Sequence, residues 1–111
     1  MDEEEIDFRI EAQDVIKDIG FAVEQITVSK QLPATKECAY LNIETKEKQL
    51  YCVQLCVQGF RVVSSTFDVC QDNPSNPFYE TVYALLDTIS TQYVQMFGNR
   101  LSKKLSELTS N

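Results

Sequence analysis

The four cysteines, Cys38, Cys52, Cys56 and Cys70, are the most reactive side chains of this 111-residue chain. They could form two disulfides or hold a zinc ion. Cys52 and Cys56 lie in a strand-like run, where four residues span about 13 Å, too far for one disulfide or one zinc ion to join them. The chain has no Cys-x-x-Cys pair, so the sequence favours four reduced, half-buried thiols over either site.

Catalysis by acid–base or nucleophilic chemistry has little support in the sequence. The chain contains no histidine, which removes the commonest general base and the commonest metal ligand. Its three glycines form no phosphate-binding cluster. Asp68, Asp72, Asn73 and Glu80 lack the spacing and the glycine of a calcium-binding loop. We therefore expect no enzymatic activity, no metal and no cofactor.

The charge of the chain limits its partners. A net charge of −7 argues against nucleic acid or an anionic membrane surface, because phosphate binding requires clustered Lys and Arg. The acidic N-terminus lacks the basic start of a signal peptide, and the apolar runs are too short to span a bilayer. These features predict a soluble intracellular protein, and they do not distinguish the cytoplasm from the nucleus. We expect an acidic tail over residues 1–5 and a single domain over residues 6–108.

Hydrophobic periodicity predicts the elements that position these side chains. A helix is expected over residues 5–26, with Gly20 inside it. Residues 38–44, 50–57 and 60–67 are strand-like and are joined by a charged turn at 45–48 and a hairpin turn at Gln58–Gly59. Two helices follow, over residues 79–89 and 91–108, with Ser90 as the N-cap of the second. The predicted fold class is α+β: an N-terminal helix, an antiparallel β-meander of three or four strands, and two C-terminal helices packed on one face.

The last predicted helix carries a narrow apolar stripe, which we name the C-terminal seam. Its side chains fall within an arc of about 80°. They are Val94, Phe97, Leu101, Leu105 and Leu108. Such a stripe suits a helix that lies in a groove of another protein, although core packing is its commoner role. The pattern alone does not decide between the two.

Four stretches of the sequence form a more specific pattern. They are Val-Ser-Lys at 28–30, Ala-Tyr-Leu-Asn-Ile-Glu-Thr-Lys-Glu at 39–47, Tyr-Glu-Thr-Val-Tyr-Ala-Leu-Leu-Asp-Thr at 79–88 and Phe-Gly-Asn at 97–99. In this order the chain closely resembles the glycogen synthase kinase-3 beta-interacting protein family, in register over residues 7–108. The same domain type occurs in the large clustered-mitochondria proteins, and so short a chain resembles the stand-alone form.

The resemblance implies a non-catalytic adaptor, a scaffold of Wnt signalling that binds glycogen synthase kinase-3 beta through its C-terminal helix and inhibits it. The matching positions are Phe97, Leu101 and Leu105, with Val94 and Leu108 extending the seam, so residues 91–108 would form the kinase-binding helix. The alternative is a structural interaction module related to the clustered-mitochondria proteins, without kinase binding.

The resemblance also concerns a second kinase. Vertebrate members of the family anchor the type II regulatory subunit of cAMP-dependent protein kinase through the N-terminal helix. The corresponding contact residues here are Val15, Ile16, Ile19 and Val23. Gly20 stands where those relatives carry leucine, and the loss of a buried anchor of that size costs about 2 kcal/mol. We therefore expect A-kinase anchoring to be weak or absent in this chain.

Overall fold

The computed structural model describes residues 6–71 and 75–95, and over these residues the chain has an α+β fold. The elements in chain order are the helix α1 (Phe8–Ile19), a 3₁₀ turn (Gly20–Ala22), the strands β1 (Gln25–Val28), β2 (Cys38–Glu44), β3 (Leu50–Cys56) and β4 (Gly59–Ser64), and the helices α2 (Val82–Ile89) and α3 (Thr91–Tyr93). The strands form one antiparallel sheet in the order β1-β2-β3-β4, which confirms the predicted meander. Within the described part of the chain, no helix combines the length and the apolarity needed to cross a membrane.

The N-terminal helix is shorter than the sequence predicts. It ends at Ile19 instead of residue 26, and Gly20 opens the 3₁₀ turn that follows it. Residues 25–28 form the edge strand β1, in which Ile26 is paired with Ile43 of β2. The prediction was wrong because Ile26 faces the core at both helical and strand spacing. Its β-branched neighbours favour extended backbone, and pairing with β2 supplies the ladder hydrogen bonds.

The hydrophobic core lies between the helices and one face of the sheet, which we name the inner face. Strand residues that alternate toward this face include Leu41, Val53 and Phe60, and all three are buried. The helices contribute Ala12, Val15, Ile19, Val82, Leu85 and Leu86 to the same cluster. Burial of each large apolar side chain contributes about 1.5–3 kcal/mol, so the helices are held to the inner face. The predicted packing of the helices on one face is confirmed.

Helix α2 begins at Val82, later than the predicted residue 79, because Tyr79 is bonded to the sheet. The Phe60 N–H donates to the Tyr79 carbonyl at 2.8 Å, and the Tyr79 N–H donates to the Phe60 carbonyl at 2.7 Å. Thr81 then starts the helix by accepting a hydrogen bond from the Ala84 N–H at 3.1 Å. This bridge covers part of the outer edge of β4, which would otherwise present unpaired backbone groups.

The opposite face of the sheet, the outer face, is covered in part by residues 65–71. Asp68, in the left-handed conformation at φ 63°, accepts hydrogen bonds from the Ser29 hydroxyl at 2.6 Å and the Asn42 amide at 2.8 Å. The Asn42 carbonyl oxygen in turn accepts from the Asp68 N–H at 3.0 Å. These bonds tie the segment to β2 and to the residue that follows β1.

All four cysteines are free in this fold. Cys38, Cys56 and Cys70 are half-buried as expected, but Cys52 lies beneath residues 65–71 and is fully buried. The prediction of four half-buried thiols is therefore wrong for Cys52. No three Cys, Asp or Glu side chains of residues 6–71 and 75–95 are grouped closely enough to hold a metal ion.

Candidate partner-binding site

The C-terminal helix starts where the sequence predicts, with Ser90 as its N-cap. The Ser90 hydroxyl accepts a hydrogen bond from the Tyr93 N–H at 3.1 Å, and Ser90 itself is buried. Tyr93 belongs to the hydrophobic core, so the first turn of this helix is fixed to the fold. Val94 follows in helical conformation and is half-buried. Of the C-terminal seam, only Val94 is described; Phe97, Leu101, Leu105 and Leu108 lie outside the described residues.

A carboxylate from a distant part of the sequence completes this cap. The Ser90 hydroxyl donates to the two carboxylate oxygens of Glu47, at 3.1 and 3.2 Å, and the Gln92 N–H donates to the same carboxylate. A negative charge at a helix N-terminus is also stabilised by the helix dipole. We name Glu47, Ser90 and residues 91–93 the capping corner. It fixes the start of α3, after which the predicted partner contacts follow in the sequence.

The turn between β2 and β3 sets the position of Glu47. The Thr45 N–H donates to the Gln49 carbonyl, and the Lys48 N–H donates to the Thr45 carbonyl, both at 2.9 Å. Lys48 adopts a φ of 68°, and Thr45 is fully buried. The predicted charged turn is confirmed, and its closed hydrogen bonding directs the carboxylate of Glu47 toward α3.

Two opposing effects set the charge of the Glu47 carboxyl. Partial burial by itself raises its pKa. Hydrogen bonds from the Gln92 N–H, the Thr45 hydroxyl, the Glu47 N–H and the Ser90 hydroxyl outweigh that effect, and they leave the pKa below its ordinary value of 4.5. Glu47 is therefore ionised at neutral pH, as a cap of a helix N-terminus requires.

We expect Glu47→Gln to lower the free energy of unfolding at neutral pH by about 1–2 kcal/mol, since it weakens charge-assisted hydrogen bonds to the helix start. Because the pKa of Glu47 is lower in the folded than in the unfolded chain, its contribution is present above the ordinary pKa and is lost as the pH falls through the folded value. The difference between wild type and variant should therefore shrink as the pH falls through and below the ordinary pKa of 4.5. Urea unfolding followed by circular dichroism at each pH measures the free energy of unfolding of both proteins.

A neighbouring carboxylate provides the control for this experiment. Glu24 is exposed, and its carboxylate lies 3.3 Å from the Lys48 ammonium in a surface ion pair. Glu24→Gln should change the free energy of unfolding by less than about 0.5 kcal/mol. Equal effects of the two substitutions would contradict a specific role of Glu47.

Sequence reasoning missed Glu47 because 43 residues separate it from Ser90. One indirect signal was available. A capping box places Glu or Gln three residues after the N-cap, but this chain has Tyr93 there. The sequence next to Ser90 therefore offers no acidic capping residue. The fold brings the carboxylate of Glu47 to that position instead.

The four predicted contacts for the kinase A regulatory subunit are brought together, but they face inward. Val15, Ile19 and Val23 are 8%, 1% and 2% exposed, and Ile16 packs against the same core cluster. The exposed apolar residues of this N-terminal segment include instead Ile10 at 61% and Phe21 at 65%. A partner that binds the predicted contacts would have to displace α1 from the sheet.

The sequence of this chain is similar to those of known proteins. The profile of the GSKIP domain matches residues 8–108. The GSK3-beta interaction protein of Gallus gallus is 48% identical over 102 residues, which are 92% of this chain and 73% of the relative. The GSK3B-interacting protein of Homo sapiens is 45% identical over the same shares of the two chains. The protein GSKIP homolog of Drosophila melanogaster is 37% identical over 90 residues, 79% of this chain and 76% of the relative.

Proposed function

This chain belongs to the GSKIP domain family, and from that membership we propose that it is a non-catalytic adaptor that binds glycogen synthase kinase-3 beta. One observation carries the proposal. Over 102 residues the chain is 45–48% identical to vertebrate relatives that are named for their interaction with that kinase. The absence of histidine from the sequence supports a role in binding over a role in catalysis.

The proposed contact is the C-terminal seam, which would lie in a groove of the kinase. In this mode of recognition a few apolar anchors supply most of the binding energy. The capping corner supports the proposal, because it fixes the position of the first turn of α3, after which the seam residues follow in the sequence. Tyr93 and Ser90 are buried at that start, so the first turn of α3 belongs to the domain.

Titration calorimetry of the full chain with the purified kinase tests this function. We expect saturable one-to-one binding, and substitution of Phe97 or Leu101 by alanine should weaken it by about tenfold or more for each anchor. Asp14→Ala, at an exposed site on α1, is the control and should bind like wild type. No binding by wild type would refute the function, whereas wild-type affinity of both seam variants would refute the seam.

We further propose that binding lowers the activity of the kinase and takes place in the cytoplasm. An assay of kinase activity on a protein substrate, with increasing amounts of the full chain, tests the first part of this proposal. We expect inhibition that saturates at the same concentration as binding. Cell fractionation with an antibody to the chain measures the second.

Anchoring of the type II regulatory subunit of cAMP-dependent protein kinase is expected to be weak in this protein for two reasons. Gly20 lacks the side chain expected at that contact, and Val15, Ile19 and Val23 are in the core. In a fluorescence titration, a peptide of residues 5–28 should bind the subunit poorly and the folded chain should bind it less well still. Gly20→Leu should improve binding of the peptide. Tight binding by the unmodified chain would contradict this interpretation.

A further inference from the structure

Two of the free cysteines lie opposite each other on neighbouring strands of the sheet. Cys38, the first residue of β2, is the register partner of Cys56, the last residue of β3. Both are half-buried on the outer face, next to the pair formed by Tyr40 and Gln54. Small reagents in solution can therefore reach the two thiols, since neither side chain is part of the core cluster.

The hydrogen bonds of β2 define the geometry of this pair. The Ser29 N–H donates to the Tyr40 carbonyl and the Glu24 N–H donates to the Glu44 carbonyl, both at 2.8 Å. The even-numbered residues of β2 thus direct their backbone groups toward β1, and the Cys38 carbonyl likewise accepts from the Thr35 N–H on that side. Cys38 and Cys56 are therefore a non-hydrogen-bonded pair, in which the Cα atoms lie about 4.5 Å apart and the side chains are close. That separation is within the range spanned by disulfides.

The other two cysteines are less suited to pair with Cys38. The Tyr40 hydroxyl lies between Cys38 and Cys70, because it interacts with both thiols and accepts from the Cys70 Sγ at 3.8 Å. Cys52 is fully buried, and burial raises the pKa of its thiol to about 11, which leaves it protonated and unreactive. The Gln54 amide donates to the Cys38 Sγ at 3.4 Å and holds that sulfur at the sheet surface.

We propose that Cys38 and Cys56 form an oxidisable thiol pair, a modification site for small disulfides such as oxidised glutathione. The thiolate of one cysteine attacks the glutathione disulfide and releases one reduced glutathione. The second cysteine then attacks the mixed disulfide, forms the Cys38–Cys56 bond and releases a second reduced glutathione. The protein loses two electrons, the glutathione disulfide gains them, and the two thiol protons leave with the two glutathione molecules. This pair lies at the end of the β2–β3 hairpin away from Glu47.

Incubation of the full chain with oxidised glutathione, followed by alkylation and mass spectrometry, tests the proposal. We expect a product about 2 Da lighter than the reduced chain, with two of the four thiols still open to alkylation after unfolding. Tryptic digestion should link the peptide 37–46, which carries Cys38, to the peptide 49–61. Fragmentation of the linked peptide assigns the bond to Cys56 instead of Cys52, because both lie in 49–61.

Variants separate this pair from its alternatives. Cys70→Ser should give the same linked peptide, whereas Cys56→Ser should stop at a mixed disulfide with one glutathione on Cys38. A link from 37–46 to the peptide 62–100, which carries Cys70, would overturn the proposal. So would four unmodified thiols in wild type, or wild-type glutathione adducts without an internal bond.

Discussion

Leu105→Pro is expected to abolish binding of this chain to glycogen synthase kinase-3 beta. In the proposed mode the substitution removes a central apolar anchor and also breaks the helix, because proline lacks the N–H and clashes with the preceding turn. The two effects together amount to about 5 kcal/mol, which is more than about a thousandfold in Kd. Calorimetry or co-purification with the kinase measures the loss.

Two further substitutions identify the cause of this loss. Leu105→Ala removes the anchor and keeps the helix, so it should weaken binding by about 2 kcal/mol. Ser106→Ala lies about 140° from the centre of the seam on the predicted helix and should have no effect. If Leu105→Pro co-purified with the kinase as well as wild type does, the C-terminal seam would not be the contact.

Gly59→Ala is expected to destabilise the fold by about 3 kcal/mol. Gly59 adopts a φ of 122°, which side chains of L-residues rarely tolerate. A Cβ at this position would also meet the Tyr79 carbonyl oxygen, at 2.3 Å. The substitution therefore breaks the backbone bridge between Phe60 and Tyr79 and frees the segment that leads into α2. Urea unfolding measures the change, and hydrogen exchange at the Phe60 and Tyr79 amides locates it.

Gly20 provides the matched control for Gly59. Its backbone is in the ordinary right-handed helical region, at φ −55° and ψ −32°, and an added Cβ meets no atom within 4 Å. Gly20→Ala should therefore stabilise the protein by about 0.4–1 kcal/mol, since it restricts only the unfolded chain. Equal losses of stability at the two glycines would show that neither φ nor the contact with Tyr79 decides the outcome.

The meander could be predicted from the sequence because its signals are local. Residues 38–44 alternate over a full strand length, and the turns at 45–48 and at Gly59 carry residues that favour them. The strand β1 could not be predicted, because its sequence carries no such local signal. Four residues are too few to separate a period of two from a period of 3.6, and Ile26 satisfies both. Only its pairing with β2, a contact distant in sequence, decides the conformation.

In the candidate site, too, the local feature could be predicted from the sequence and the contact distant in sequence could not. The N-cap role of Ser90 follows from its own side chain and is confirmed. The acid that completes the cap, Glu47, is placed by the fold, and the short stretch around it could indicate only a charged turn. On α1, Val15 and Ile19 belong to an apolar stripe of helical periodicity. Such a stripe is equally typical of a helix that packs on a core and of a helix that binds a partner. The structure assigns them to the core.

The capping corner has a consequence for how a helix forms after Val94. An isolated helix must first close one turn, and this nucleation step is unfavourable by a factor of about a thousand, or about 4 kcal/mol. Here Glu47, Ser90 and the buried Tyr93 already hold that turn in place. Residues that continue the helix need only the favourable elongation steps. A partner that binds an extension of this helix would therefore not have to supply the free energy of nucleation.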